Sequence, residues 1–192
     1  MATNINKQSL LNKSRVDKFI LSFQLPNALK KIAKKDDRST ATIQENKFQF
    51  SIYGAVVPAI NVPAIQIPYA GSNLYNSSHA KQPFEPVTVN FTVDNEFNNY
   101  WVIYKWLNLM HDQKTGLFDA DQLISDDNFA DYQTDMTIFG LDEFDNKRIE
   151  FTYKKAFPIT LGGINYNYRE SAEIDSSMTF VFSQLHTKLL NL

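Results

Sequence analysis

The sequence predicts a mainly β protein, an antiparallel β-sandwich or curled barrel with one long packed helix and room for one short one. Three observations carry this expectation. Apolar and polar residues alternate with period two through several short segments. One long stretch, Glu96 to His111, has helical spacing instead. Pro, Asn, Asp and Gly punctuate the segments at short intervals, as they do in all-β chains. At 192 residues the chain fits one domain, residues 1–192, with the polar residues 1–15 as a loose arm.

The elements follow in order. Phe19, Leu21, Phe23 and Leu25 share one parity within 16–25, the pattern of a half-buried strand that Pro26 ends. Asn27 is placed to cap a short helix with Leu29 and Ile32 inward and Lys30, Lys31, Lys34 and Lys35 outward, a solvated face. Phe48, Phe50 and Ile52 alternate with Gln49, Ser51 and Tyr53 as a second strand. The apolar run from Ala55 is broken by Pro58, Pro63 and Pro68, which cannot donate to a ladder, so it reads as edge strands, bends or bulges. Ala70 to Pro83 is small and polar and reads as a long loop.

The clearest alternation is Val87, Val89, Phe91 and Val93 against Thr88, Asn90 and Thr92. Its hydroxyl and amide face suits a wetted sheet surface. Asp94 or Asn95 caps the helix, whose wide apolar face holds Phe97, Tyr100, Trp101, Ile103, Tyr104, Trp106, Leu107 and Met110. Glu96 and His111 suit the helix dipole at its two ends. An acidic loop over 112–131 follows. Met136 and Ile138 pair with Ile149, Phe151 and Tyr153 across a turn at 140–146. The segments 156–160, 165–168 and 174–182 complete the sheet.

The net charge of -2 is unevenly spread. Residues 1–47 hold ten Lys/Arg against four Asp/Glu, a net of +6, and residues 85–145 hold thirteen Asp/Glu against two Lys, a net of -11. The acidic balance, with pI ≈ 5.9, argues against a nucleic-acid-binding domain. The two segments offer complementary faces, within one fold or between copies. No apolar run approaches the ~18 residues that span a bilayer, so no membrane insertion is expected. The first residues lack the apolar core of a secretory signal, so synthesis and assembly in a cytoplasm is the expectation.

Chemistry is absent where an enzyme needs it. There is no Cys for a disulfide, a thiolate site or a nucleophile. His79, His111 and His186 lie in different elements without metal-ligand spacing. Asp119 and Asp121 fit the first ligands of a calcium loop, but Ile124 stands where Gly is required and Ala130 where a bidentate Glu is. Gly162-Gly163 belongs to no phosphate-binding or nucleophile motif. Asp126/Asp127 and Asp142/Glu143 fall in loops without an apolar pocket to raise a pKa. No cofactor, metal or catalytic residue is expected. The aromatic excess fills core positions.

Four segments in order resemble the tail tube protein family of contractile-tailed bacteriophages, of the T-even-like type. They are VDKFILSFQLPNAL (16–29), IQIPYAGSNLYNSSHAKQPFEPVTVNFTVD (65–94), NEFNNYWVIYKWLNLM (95–110), and KKAFPITLGGINYNY (154–168) with SMTFVFSQLH (177–186). Lys81-Gln82-Pro83 replaces a Leu-Pro-Gly-Arg-like element common in that family. The resemblance implies a non-enzymatic structural subunit of a phage tail tube, a virion protein assembled in the host cytoplasm. Six copies would form a ring, and rings would stack head-to-tail into the conduit for DNA ejection. Sheath, baseplate and tail-terminator proteins would be its partners, and DNA would pass without specific binding. Thr88, Asn90 and Thr92 are the candidate lumen-facing residues. Tyr69, Asn73, Tyr75, Lys81 and Phe84 mark a candidate loop between rings. The alternatives are a baseplate tube-initiator or tail-completion protein of the same fold, or a soluble β-fold ligand-binding module.

Overall fold

A computed structural model describes residues 13–26, 28–30, 52–111, 113, 116–117, 132–169 and 171–190. The expected strand at Phe48 and Phe50, the Asn27 cap, Lys31, Lys34 and Lys35, almost all of the acidic loop 112–131, and residues 1–12 lie outside them. The described strands are β1 (Phe19–Phe23), β2 (Ile52–Ala55), β3 (Ala64–Tyr69), β4 (Ser72–Ser77), β5 (Val87–Thr92), β6 (Thr134–Leu141), β7 (Lys147–Leu161), β8 (Asp175–Val181) and β9 (Gln184–Leu189). One long helix, α1 (Asn98–Met110), lies between β5 and β6. Residues 28–30 are also helical, with Ala28 and Leu29 buried.

Seven strands form one antiparallel sheet in the order β1-β6-β7-β8-β5-β2, with β9 also pairing β7; β3 and β4 form a separate hairpin. The sheet becomes a two-layered fold because its long central strand turns a corner. The first part of β7 pairs with β6 and β9, and residues from Phe157 pair with β8. On β6, Thr134 and Met136 are two residues apart, yet their partners Ala156 and Tyr153 are three apart, so β7 carries one extra residue. Lys155 is in that bulge, at φ 56. Opposite it, β8 ends and β9 begins, with the Ser183 N–H donating to the Lys154 carbonyl at 2.9 Å. A bulge and a strand break on one line let the sheet fold onto itself.

The bulge leaves a backbone donor without a ladder partner. Asp135 supplies it: one carboxylate oxygen accepts the Lys155 N–H at 3.1 Å and the other meets Lys154 Nζ at 2.6 Å. Partial burial pushes the Asp135 carboxyl up, but these bonds outweigh it and hold the group below its ordinary value.

The core lies between the folded halves and under α1. Leu21 and Phe23 of β1, Met136 and Ile138 of β6, and Tyr153 of β7 face Val87, Val89 and Phe91 of β5 and Met178 and Phe180 of β8. Trp106 of α1 spans the two, its ring 6.5 Å from Phe23 and 6.0 Å, edge-on, from Phe180. Its indole N–H donates to the Tyr132 carbonyl at 2.7 Å, as a buried indole requires.

The helix starts two residues later than its apolar pattern suggests. Phe97, at φ 56, interrupts the entry, and no acidic residue lies in the first turn or basic residue in the last, so the expected dipole partners sit outside the helix proper. Neither Asp94 nor Asn95 is the cap residue, which is Phe97, but the Asp94 carboxylate reaches the first turn from three residues upstream and accepts the Asn98 N–H at 2.8 Å. The buried Asn99 ties the helix to β5 by donating to the Thr92 carbonyl at 2.8 Å.

Two further expectations need correction. Residues 165–168 are not a strand but part of the irregular connection from β7 to β8. The expected loop from Ala70 to Pro83 contains β4, paired residue for residue with β3 from Ala64↔Ser77 to Tyr69↔Ser72. A two-residue turn closes that hairpin with Ala70 at φ 47 and Gly71 at φ 80, the paired positive values of a twist-matched turn.

The corner makes a prediction. Asp135→Ala strands the Lys155 N–H and should cost about 1 kcal/mol, or roughly 2–4 °C in midpoint for a chain of this size. Asp135→Asn, which keeps an acceptor, should cost less. Because the folded pKa is depressed, the wild-type contribution is present above the unfolded value near 3.8 and lost as pH falls through the lower folded value. Thermal unfolding of the three proteins from pH 7 to pH 2 should therefore converge only at the acid end.

Candidate assembly surfaces

Among the described residues two surfaces stand out once the core is filled. The first is the outer face of the β2-β5-β8 layer. Strict alternation on β5 buries Val87, Val89 and Phe91 and turns Thr88, Asn90 and Thr92 outward, half-buried. The same parity on β8 turns out Ser177 and Thr179 beside Asn90 and Thr88, and Asp175 beside Thr92. Thr160 of β7 pairs with Thr179 and extends the row. Thr88 and Thr179 share a hydrogen bond at 3.2 Å, and the Thr92 hydroxyl donates to Asp175 at 3.1 Å.

The three residues expected on this face thus stand together, joined by Thr160, Ser177, Thr179 and Asp175. Sequence reasoning missed these four, although the alternation around Met178 and Phe180 carries the signal. The seven side chains hold one carboxylate and no cation. The face is tightly constructed at its end: a Cβ on Gly162 would lie 2.9 Å from the Ser177 backbone nitrogen, so that close approach requires glycine.

The second surface is the β3–β4 hairpin, exposed along its whole length. Register divides it into two faces. Ile65, Ile67, Tyr69 and Leu74 share one and are between 43% and 65% exposed. Gln66, Pro68, Asn73 and Tyr75 share the other. The five residues expected to act together are therefore separated. Tyr69 is on the apolar face, Asn73 and Tyr75 are on the polar one, Lys81 is exposed on the return leg, and Phe84 packs inward at 5.1 Å from Phe182. The isoleucines escape a sequence reading because three prolines mask the period-two run Ile65, Ile67, Tyr69. A lone two-stranded hairpin is marginal in water, and this one carries an apolar face with no layer over it among the described residues.

Neither surface resembles a catalytic site. Among the described residues no group of three His, Cys, Asp or Glu is placed to hold a metal ion. Asp142 is a structural carboxylate. Burial pushes it up, but bonds from the Asn146 and Phe144 N–H groups, the Asn146 amide and Arg148 hold it down to about 2. It thus fastens the β6–β7 turn. Among the described residues no helix is long and apolar enough to cross a membrane.

A sequence profile for the phage tail tube protein family matches residues 14–188, nearly the whole chain. The chain belongs to the phage tail tube protein family. It is a structural protein, not an enzyme, as its family is. Among curated relatives of this family member, the baseplate tail-tube junction protein gp54 of Enterobacteria phage T4 is 23% identical over 113 residues, 57% of this chain. The chain spans about a third of that relative, 35% of its length.

Among solved structures, the fold is similar to that of a chain in the anti-feeding prophage tube-terminating cap, with a TM-score of 0.60, 14% identity, and coverage of 99% of this chain and 100% of that one. A chain in the sheath–tube complex of the PVC extracellular contractile injection system, in its extended state, gives 0.58 at 11% identity, covering 94% and 95%. A chain in the anti-feeding prophage baseplate gives 0.59 at 10%, covering 94% and 97%. The mainly β architecture with one packed helix is thus that of the tube fold.

The hairpin turn supplies a direct check. Ala70→Asn places a residue that tolerates positive φ before Gly71 and should stabilise the hairpin by up to about 1 kcal/mol. Gly71→Ala should loosen it by about as much. Amide hydrogen exchange across 64–77 should slow in the first variant and quicken in the second, while β5 and β8 stay unchanged.

Proposed function

We propose that the chain is a tail tube subunit that assembles as hexameric rings, stacked head-to-tail around a central channel through which DNA is ejected. The observation that carries this reading is the pairing of two surfaces on one body, a polar sheet face without a cation and a projecting hairpin whose apolar face is uncovered among the described residues. Six sheet faces turned inward would give a channel lined by Thr88, Asn90, Thr92, Thr160, Asp175, Ser177 and Thr179. A conduit must not hold its cargo. Each Lys or Arg on a phosphate releases counterions and adds affinity, so a lining with one carboxylate and no cation lets a duplex slide. The hairpin's apolar face would be covered by the neighbouring ring. Such head-to-tail contacts are heterologous, and heterologous contacts build open filaments. On this reading the protein belongs to the virion, assembled in the host cytoplasm, with sheath, baseplate and terminator proteins as partners.

A second reading is favoured by the likeness to the T4 junction protein: a ring at the baseplate on which the tube starts. The two differ in growth. A main tube subunit should polymerise into long hollow tubes when concentrated or seeded, whereas a junction subunit should stop at one or two rings. Negative-stain microscopy of the purified chain distinguishes them, and a strict monomer at every concentration would sink both.

Two variants sharpen the test. The Ser78 N–H donates to the Pro63 carbonyl at 2.9 Å, so the hairpin can be replaced by a short Gly-containing bridge between these residues. That protein should fold and should fail to stack; long tubes from it would refute the hairpin's role. Asn90→Lys combined with Thr179→Lys should leave the fold intact, since both side chains are on the outer face. In assembled rings the double variant should retain duplex DNA in a gel shift and steepen the log–log salt dependence by about one for each phosphate contacted. Wild-type rings should retain none at physiological salt.

A further inference from the structure

The hairpin leaves the body through residues 56–63 and returns through 78–86. The outgoing leg meets Tyr153 directly and the return leg meets it through Phe182. Tyr153 of β7 is fully buried, and its hydroxyl donates to the Val56 carbonyl of the outgoing leg at 3.0 Å. On the return leg the Phe84 ring packs 5.1 Å from Phe182, which meets the Tyr153 ring edge-on at 4.9 Å. Between these points the legs are bonded to each other. The Ser78 N–H donates to Pro63 and the Gln82 N–H to Asn61, at 2.9 and 3.0 Å, and the Asn61 amide donates to the Gln82 side chain at 2.7 Å.

The chemistry of Tyr153 is out of proportion to its packing role. A phenylalanine would fill the same volume between Phe182 and the rest of the core. The hydroxyl has to find a partner once buried, and the partner is a leg of the hairpin rather than another core group. Burial accordingly pushes the phenol well above its ordinary value, so it stays a neutral donor at any working pH. Tyr153 also lies two residues before Lys155, on the strand whose bulge folds the sheet.

We propose that Tyr153 is the positioning residue of the hairpin: its hydroxyl on Val56 and its ring on the Phe182–Phe84 pair fix the direction in which the Ile65, Ile67, Tyr69 and Leu74 face meets a second copy of the chain. The proposal rests on the reading of the hairpin as the contact between rings. A hairpin held in its docking direction before assembly loses less conformational freedom on docking than one that swings, and so gains affinity without a new contact.

The chain has no cysteine, so Cys introduced at Asn73 on β4 and Thr187 on β9, both exposed, takes two spin labels without background. Pulsed dipolar spectroscopy on the labelled 192-residue chain reads the hairpin's direction before any assembly. The parent should give a single narrow distance distribution. Tyr153→Phe should widen it about twofold while the unfolding midpoint moves by only a few degrees, and should slow tube growth about tenfold, the cost of ordering a mobile arm. Phe84→Ala, which leaves the buried phenol in place, should widen it as well, and it keeps the test open if the first variant folds poorly. A parental width in both folded variants overturns the proposal. Widening with tube growth unchanged upholds the latch and overturns the reading of the hairpin as the contact between rings.

Discussion

Everything in this structure depends on one corner. A flat antiparallel sheet of seven strands would expose one apolar face, and no single helix could cover it. The extra residue at Lys155 solves this by bending β7, so that its first half belongs to one layer and its second half to the other. The corner persists because its one displaced backbone donor has a carboxylate waiting, Asp135 on the neighbouring strand. Backbone strain at a non-glycine residue is kept only where surroundings over-determine it. Here the surroundings include Asp135, Lys154 and the break between β8 and β9.

With the sheet folded, Trp106 finds one layer on each side. The helix therefore sits as a wedge between the layers, but its buried stripe differs from the expected one: of the eight residues expected on the apolar face only Ile103 and Trp106 are buried, joined by Val102 and Leu109, while Phe97 and Tyr104 are exposed. The same fold leaves the polar parity of β5 and β8 on the outside. The core and the proposed channel lining are thus two faces of one alternation: a shift of one residue on β5 would put Thr88 and Asn90 among the core aromatics and Val89 and Phe91 in solvent. The dry core and the polar outer face are held by the same register.

The alternating strands are legible in the sequence, because period two over Val87–Val93 or Ile149–Tyr153 suits a half-buried strand and no helix. The existence of the helix is equally plain from its helical spacing, although the expected face included Ile103 and Trp106 and missed the buried Val102 and Leu109. Three things are hidden for physical reasons. The hairpin is obscured because Pro68 lies within a strand, tolerated because β3 has one ladder partner among the described residues, and because Ala70 takes a conformation usually left to Gly or Asn. The corner at Lys155 is obscured because bulges are a property of pairing, not of composition; nothing in Lys154-Lys155-Ala156 advertises it. Strand β9 is obscured because its inward and outward residues, such as Leu185 and His186, alternate weakly on an edge that is largely exposed. Of the candidate surfaces, the polar sheet face is half visible, through β5. The apolar face of the hairpin needed the register to appear.

The order of the strands along the chain also has a consequence during synthesis. Strand β1 is made first, yet its partner is β6, and the Thr134 hydroxyl that closes on the Gln24 carbonyl is 110 residues further on. At ordinary translation rates of about 5–20 residues per second, that interval is on the order of 5–20 s. Throughout it β1 has no ladder, and the hairpin with its isoleucines has already left the ribosome. High contact order makes the final closure slow as well. For that interval the nascent chain holds an unpaired strand and an exposed apolar hairpin at once, the two features that make partly folded chains prone to aggregate.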